Sequence, residues 1–244
     1  MKPEFSGTRI ALFGCALAGF LALISVLANA KNQTYDVFKY RPLVPGTHFT
    51  YSSPGLNNGS PVKSFAVLRE ETQDGLTFKV LDWGGGWTDY WEETPTGVSR
   101  NKHVNEAEKT YGVYTPPAVQ YPRFLKPGEE FIQDRMLRTY HNGLLTSTDT
   151  EKFRLVLLGI EDITVPYGTF KNCLKIFSEW RNVDAGGREY QRRSVMSWNA
   201  AGVGQVKGIY YEQNDNEKGP PILTDMELQA VTTVPGAGAA SAQK

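Results

Sequence analysis

Beyond residue 30, apolar residues recur at every second position and almost nowhere at every third or fourth, a period that a β-strand satisfies and a helix does not. Leu76-Thr77-Phe78-Lys79-Val80-Leu81-Asp82 largely alternates, as a strand with one buried face should, and Gln73-Asp74-Gly75 before it supplies a turn. Similar segments run over Phe49–Ser52, Pro61–Arg69, Trp87–Glu93, Phe131–Thr139, Leu144–Leu158, Lys171–Arg181, Glu189–Trp198, Gly204–Glu212 and Leu223–Val231. Between Phe131–Thr139 and Leu144–Leu158 lies Asn142-Gly143, a pair that tolerates positive φ at both centres and marks a hairpin. No window of a dozen residues carries a 3.6-residue apolar stripe, and at most Asn105–Lys109 could form one helical turn. The expected fold is all-β, with about ten antiparallel strands in a strongly curled sheet or partly open barrel, because an open sheet of that size does not stay flat.

An internal echo suggests two related β-units. Arg41-Pro42-Leu43-Val44-Pro45-Gly46-Thr47-His48-Phe49 matches Arg123-Phe124-Leu125-Lys126-Pro127-Gly128-Glu129-Glu130-Phe131 at Arg, Leu, Pro, Gly and Phe, and each Pro-Gly would launch a strand. Gly75-Leu76-Thr77-Phe78-Lys79 and Gly97-Val98 are echoed in order by Gly168-Thr169-Phe170-Lys171 and Gly202-Val203. Residues 31–231 are therefore expected as a single β domain with halves at 40–120 and 121–231, followed by a disordered Pro/Gly/Ala/Ser/Thr tail at 232–244.

Residues 1–30 read as a secretory signal peptide. Lys2 and Arg9 precede the apolar run Ile10–Leu27, and Ala28-Asn29-Ala30 is a small-x-small cleavage site followed by polar residues. Two alternatives remain, an uncleaved anchor of marginal length and lipid attachment at Cys15, which the bulky Phe13 and the late apolar core disfavour. The expected location is periplasmic or secreted, with no membrane span after cleavage. Of 26 basic and 26 acidic residues, loss of Lys2, Arg9 and Glu4 leaves 24 and 25, a neutrality that argues against nucleic acid as a partner. Cys173 is then the only cysteine, so no intramolecular disulfide forms, and the thiol is expected inert despite flanking Lys171 and Lys175.

Two phrases resemble those of exported, β-rich bacterial proteins that are largely uncharacterised. One is Val165-Pro166-Tyr167-Gly168-Thr169-Phe170, the other Ala200-Ala201-Gly202-Val203-Gly204-Gln205-Val206-Lys207, and the opening Tyr40–Tyr51 is similar too. The resemblance covers about 40–55 and 160–210. It implies an envelope β-protein and transfers no catalytic residue.

The chemically richest stretch is Asp82-Trp83-Gly84-Gly85-Gly86-Trp87-Thr88-Asp89-Tyr90-Trp91. Its rings could stack on a glycan or meet an envelope protein, with Trp83, Trp87, Tyr90 and Trp91 as the interaction residues. Cross-strand register pinning is the simpler reading. No metal site is expected from the dispersed His48, His103 and His141, and no cofactor loop or nucleophile elbow is present. Adjacent acidic pairs such as Glu92-Glu93 would point to opposite faces of a strand, and Arg181, Arg188, Arg192 and Arg193 read as a solvated basic face.

The expected function is accordingly non-enzymatic: a concave sheet face binding a lipid or amphipathic small molecule. Its candidate lining is Phe78, Val80, Leu174, Ile176, Trp180, Met196 and Trp198, with Met226 and Leu228. An envelope structural or interaction module is the alternative, and a hydrolase with an unrecognised site a more distant one.

Overall fold

The computed structural model describes residues 33–53, 63–215 and 221–234. Alternation closes into a barrel of twelve antiparallel strands: β2 (Thr47–Ser52), β3 (Lys63–Gln73), β4 (Leu76–Asp82), β5 (Trp87–Thr94), β6 (Gly97–Asn105), β7 (Thr110–Pro122), β9 (Glu130–His141), β10 (Leu144–Val165), β11 (Gly168–Val183), β12 (Glu189–Ala200), β13 (Gly204–Asn214) and β14 (Ile222–Thr233). Each strand pairs with its successor, and β14 returns to pair with β2. Closure leaves no open sheet edge in the barrel. Two short strands outside it, β1 (Tyr35–Asp36) and β8 (Phe124–Leu125), pair with each other.

Turn chemistry sets the register. Asn142 and Gly143 adopt φ of 50° and 80°, the left-handed pair that a two-residue hairpin requires between β9 and β10. The two Pro-Gly turns each precede a run of six consecutive barrel strands, β2–β7 and β9–β14. In both, the glycine N–H is tied to a neighbouring strand, Gly46 to the Val67 carbonyl and Gly128 to that of Leu157.

The barrel has two more strands than expected, because Gly97–Asn105 and Thr110–Pro122 are β6 and β7. The residues considered for a helical turn, Asn105–Lys109, form the tight connection between them. β14 also runs past the expected start of the tail: Thr232 and Thr233 pair with His48 and Thr47, and Val234 N–H donates to the Gly46 carbonyl. The expected signal peptide at 1–30, with Cys15, and residues 235–244 lie outside the described residues.

The segment before β2 crosses one mouth of the barrel. A single 3-10 turn, Val37–Lys39, is capped by the Asp36 side chain. Val37 N–H donates to the Arg123 carbonyl, the Lys39 carbonyl accepts from Gly202, and Gly46 reaches β3. Val37 and Leu125 pack under this cover on Phe153, Leu155, Leu157, Leu174 and Ile176. On the other side of the lumen Phe49, Tyr51, Val67, Leu81, Trp91 and Leu228 join one apolar cluster. The tip of the β10–β11 hairpin reaches over to β14, where Tyr167 N–H donates to the Leu228 carbonyl at 3.0 Å.

The outer face carries ion pairs, among them Lys175–Glu161, Lys207–Glu227 and Glu179 between Arg181 and Arg192. Among the described residues no helix is long and apolar enough to cross a membrane.

Candidate functional site

Strand register assigns each residue to a face, since cross-strand partners share one. One inward set runs round the barrel through Leu81, Asp89 and His103, and through Arg135 and Glu151. It continues with Trp180, Arg193 and Glu212. That this face is the lumen follows from Arg41. It reaches Asn199 and Gln205 on β12 and β13, yet lies over the rings of Trp91 and Tyr121 on β5 and β7, across the barrel.

The lumen holds two different environments. Deep between β5, β6, β7, β9, β10 and β12 is a buried polar network. Arg135 donates from Nε (2.8 Å) and Nη2 (2.5 Å) to Glu151 Oε1, and Arg193 Nη2 donates to Glu151 Oε2 at 3.2 Å. Burial pushes the Glu151 carboxyl up, but Arg135, Arg100 and Arg193 outweigh it and hold the group below the usual carboxylate range. Asp89 accepts from the indoles of Trp83 (2.9 Å) and Trp91 (3.2 Å) and pairs with Arg100 at 3.5 Å.

His103 sits in the same network, its Nδ1 3.2 Å from the Tyr114 hydroxyl. Gly112 gives the ring its room, since a Cβ there would stand 2.4 Å from His103 Cε1. Burial, with Arg100 and Arg193 nearby, pushes the imidazole pKa down to about 3, so the ring is neutral.

Running from the mouth segment at Arg41–Leu43 toward Lys63, Glu212 and Ile222 is a cavity of about 360 Å³, inside the ~300–1,000 Å³ range of small-molecule sites. Its apolar wall includes Leu43, Phe49, Phe65, Trp83, Val203 and Met226, and its polar groups include Arg41, Tyr51, Gln205 and Tyr210. The rings are linked: Phe49 stacks on Phe65 at 5.3 Å between centroids, Phe65 on Trp83 at 4.5 Å, and Trp83 tilts against Trp91 at 6.0 Å. Trp83 and Ile222, 40% and 57% exposed, stand at the opening. A second space of about 270 Å³ shares Pro42, Phe49 and Val203 with the first and extends to Tyr167 and Val231. Neither cavity is lined by Arg100, His103, Arg135, Glu151 or Arg193, and the network meets the larger cavity at Trp83, whose indole donates to Asp89.

The polar end of the larger cavity is braced from behind. Arg41 is only 6% exposed, and its Nη1 donates to Asn199 Oδ1 (3.3 Å) and Gln205 Oε1 (3.5 Å). Asn199 donates onward to Ser197 Oγ at 3.1 Å. The Tyr51 hydroxyl donates to the Gln205 carbonyl (2.9 Å), and Gln205 Nε2 donates to the Tyr210 hydroxyl (2.6 Å).

The expected lining residues divide between faces. Leu174, Ile176 and Trp180 face the lumen as expected from their alternation, but Leu174 and Ile176 are buried under the mouth segment and Trp180 is half-buried beside Phe153, all outside the cavity wall. Met226 does line the cavity, and Leu228 packs in the neighbouring cluster. Met196 and Trp198 pair with Phe177 and Lys175, on the face opposite Ile176 and Leu174. Trp198 is covered there by Lys175 and Lys207 and donates to Glu161 at 2.8 Å. Phe78 and Val80 are also placed away from the lumen, which β4 lines with Leu81; they are buried beside Tyr90 on the other face. The cause is shared: on β12 the inward residues are Arg193, Val195, Ser197 and Asn199, so the more apolar face is not the inward one.

Nor do the hairpin aromatics form one platform. Trp91 is buried, Trp83 is in the cavity wall, Trp87 packs edge-on to His103, and Tyr90 lies on the opposite face under Lys102. The basic cluster separates likewise, Arg192 turning out to Glu179 and Arg193 in to Glu151. Cys173 is fully buried, and burial raises its thiol pKa, which opposes thiolate formation. Arg41, the residue that gives the cavity its polar end, stands in the sequence only as the start of a turn phrase. Its signal is the echo with Arg123, whose side chain does have a carboxylate partner, Asp36, at 3.5 Å.

No family model matches the chain, and no curated protein matches it. Two solved structures are similar to it in outline. A candidate lipoprotein from Parabacteroides distasonis has a TM-score of 0.40 at 13% identity, covering 79% of this chain and 98% of that one. A candidate exported protein with a YmcC-like fold from Bacteroides fragilis has a TM-score of 0.40 at 13% identity, covering 80% and 99%. A likeness this loose says nothing about the cavity, whose chemistry rests on this chain's own residues.

Proposed function

We propose that this chain is an exported, non-enzymatic β-barrel protein that binds an apolar or amphipathic envelope ligand in the cavity beside Arg41. The observation that carries this reading is the cavity itself: about 360 Å³ walled by linked aromatic and aliphatic side chains, with a few polar groups gathered at one end. The secretory pattern of residues 1–30 supports export. The ion-paired outer face suits a barrel surrounded by water, because charges on a lipid-facing barrel wall are costly. The buried network favours structure over catalysis, since its Glu151 carboxylate is tied to arginines and its one histidine, with a pKa pushed down to about 3, lies far from the value near the working pH that proton transfer favours.

The test uses N-phenyl-1-naphthylamine, a neutral fluorophore that brightens in apolar surroundings. The purified protein should bind it saturably at one site, and Met226→Trp, which fills the cavity, should weaken binding about tenfold or more. Unsaturable binding, or binding that ignores the filled cavity, overturns the reading. Native mass spectrometry of protein from its own envelope should show a co-purifying lipid.

A further inference from the structure

Arg41 is a buried guanidinium with no carboxylate within ion-pair distance among the described residues, in contrast to Arg100, Arg135 and Arg193 in the same lumen. Its one bonded nitrogen, Nη1, has two amide oxygens at 3.3 and 3.5 Å, and its Nε is buried without any partner. The remaining neighbours are π-faces, with Tyr121 at 4.7 Å and Trp91 at 5.8 Å from the guanidinium carbon. Those faces attract a cation but supply no counter-ion. A charge kept out of water in this state is completed by an anion, and the guanidinium fork suits the two oxygens of a carboxylate or phosphate.

The rest of the cavity fits that occupant. Tyr210 uses its hydroxyl oxygen to accept from Gln205, so its own proton is free to donate beside Arg41. Asn199 and Gln205 are held by Ser197, Tyr51 and Tyr210, which fixes the guanidinium before any ligand arrives. The other charged lining residues are Lys63, exposed at the opening, and Glu212, which accepts from Gln191 at 2.7 Å. Beyond this polar end the wall is Phe49, Phe65, Trp83 and Met226.

We propose that the ligand is an anionic amphiphile, whose carboxylate or phosphate head pairs with Arg41 and whose chain lies along the aromatic wall. This rests on the cavity being the binding site, as argued above. It adds the sign of the head group and the residue that reads it.

The experiment displaces N-phenyl-1-naphthylamine from the purified protein with dodecanoate, dodecyl phosphate, dodecanol or dodecyltrimethylammonium. The two anions should act at about tenfold or more lower concentration than dodecanol, and the cation should be weakest. Whichever anion is stronger identifies the source of the head group. Arg41→Met should bring the anions and dodecanol together while fluorophore binding persists, which also reports that the variant is folded. Arg41→Lys should restore part of the preference, and Lys207→Gln, on the outer face beside Glu227, should keep it. Equal displacement by dodecanol and dodecanoate in the wild type, or a preference that survives Arg41→Met, overturns the head-group assignment and leaves the cavity reading standing. No fluorophore binding by the wild type overturns both.

Discussion

Arg135 and Arg41 are both buried in one lumen, and they are satisfied in opposite ways. Arg135 places two nitrogens on Glu151, whose other oxygen takes Arg193, so each guanidinium has a carboxylate partner inside the protein. Arg41 rests on two amide oxygens and two rings, at the wall of the larger cavity. The contrast separates a charge that holds the barrel together from a charge poised for something not in the chain. A buried pair is costly to break and gives little over an apolar substitute, whereas an unmatched buried charge already stands at a disadvantage.

Three measurements break or sharpen that contrast. The largest effect belongs to Glu151→Gln, which leaves Arg135 and Arg193 facing a neutral amide. Urea unfolding at neutral pH should show a loss of about 3–5 kcal/mol. A loss below about 1 kcal/mol would place the network among dispensable contacts.

Next comes acid. His103 in the folded protein titrates near 3, against about 6.5 for an ordinary imidazole, so the unfolded chain takes up a proton that the folded chain refuses. Its contribution is therefore fully present above about pH 6.5 and is lost as the pH falls toward 3. Between pH 6.5 and 4.5 the loss should reach about 2–3 kcal/mol, at about 1.4 kcal/mol per pH unit. Glu93, whose pKa burial raises, works the other way as the pH approaches the carboxylate range. His103→Gln should flatten the stability profile in this window, and an unchanged slope would assign the acid sensitivity elsewhere.

The smallest effect is expected for Arg41→Met, which swaps an unmatched buried charge for an apolar side chain of similar length. Stability of the ligand-free protein should stay within about 1 kcal/mol of the wild type or rise. If it falls as far as with Glu151→Gln, the two arginines have the same role and the contrast is lost.

The sheet was legible because turns and alternation act locally. Asn142-Gly143 can hardly do anything but turn a hairpin, and Leu76–Asp82 matches its strand end to end. β6 and β7 escaped for a physical reason: their inward residues include Arg100, His103, Gly112 and Tyr114, so the apolar alternation that betrays a strand is missing. Pro116 and Pro117 within β7 hid it further. The same polar lumen misdirected the lining. Trp198 and Met196 carry the apolar character of β12, and the assumption that apolar means inward placed them on the wrong side. Arg41 was visible as a letter, but its lack of a carboxylate depends on walls contributed by residues about 160 positions away.

The barrel is a meander in which every ladder but one joins successive strands, and the exception is β14 with β2. The cavity lies across that exception, taking wall residues from β13 and β14 on one side and from β2 and β3 on the other. It therefore does not exist until the last strand has found the first. An occupant bridging that seam would act as a rivet, slowing amide exchange in β2 and β14 first, so the ligand would report that the chain has finished folding as well as being its cargo.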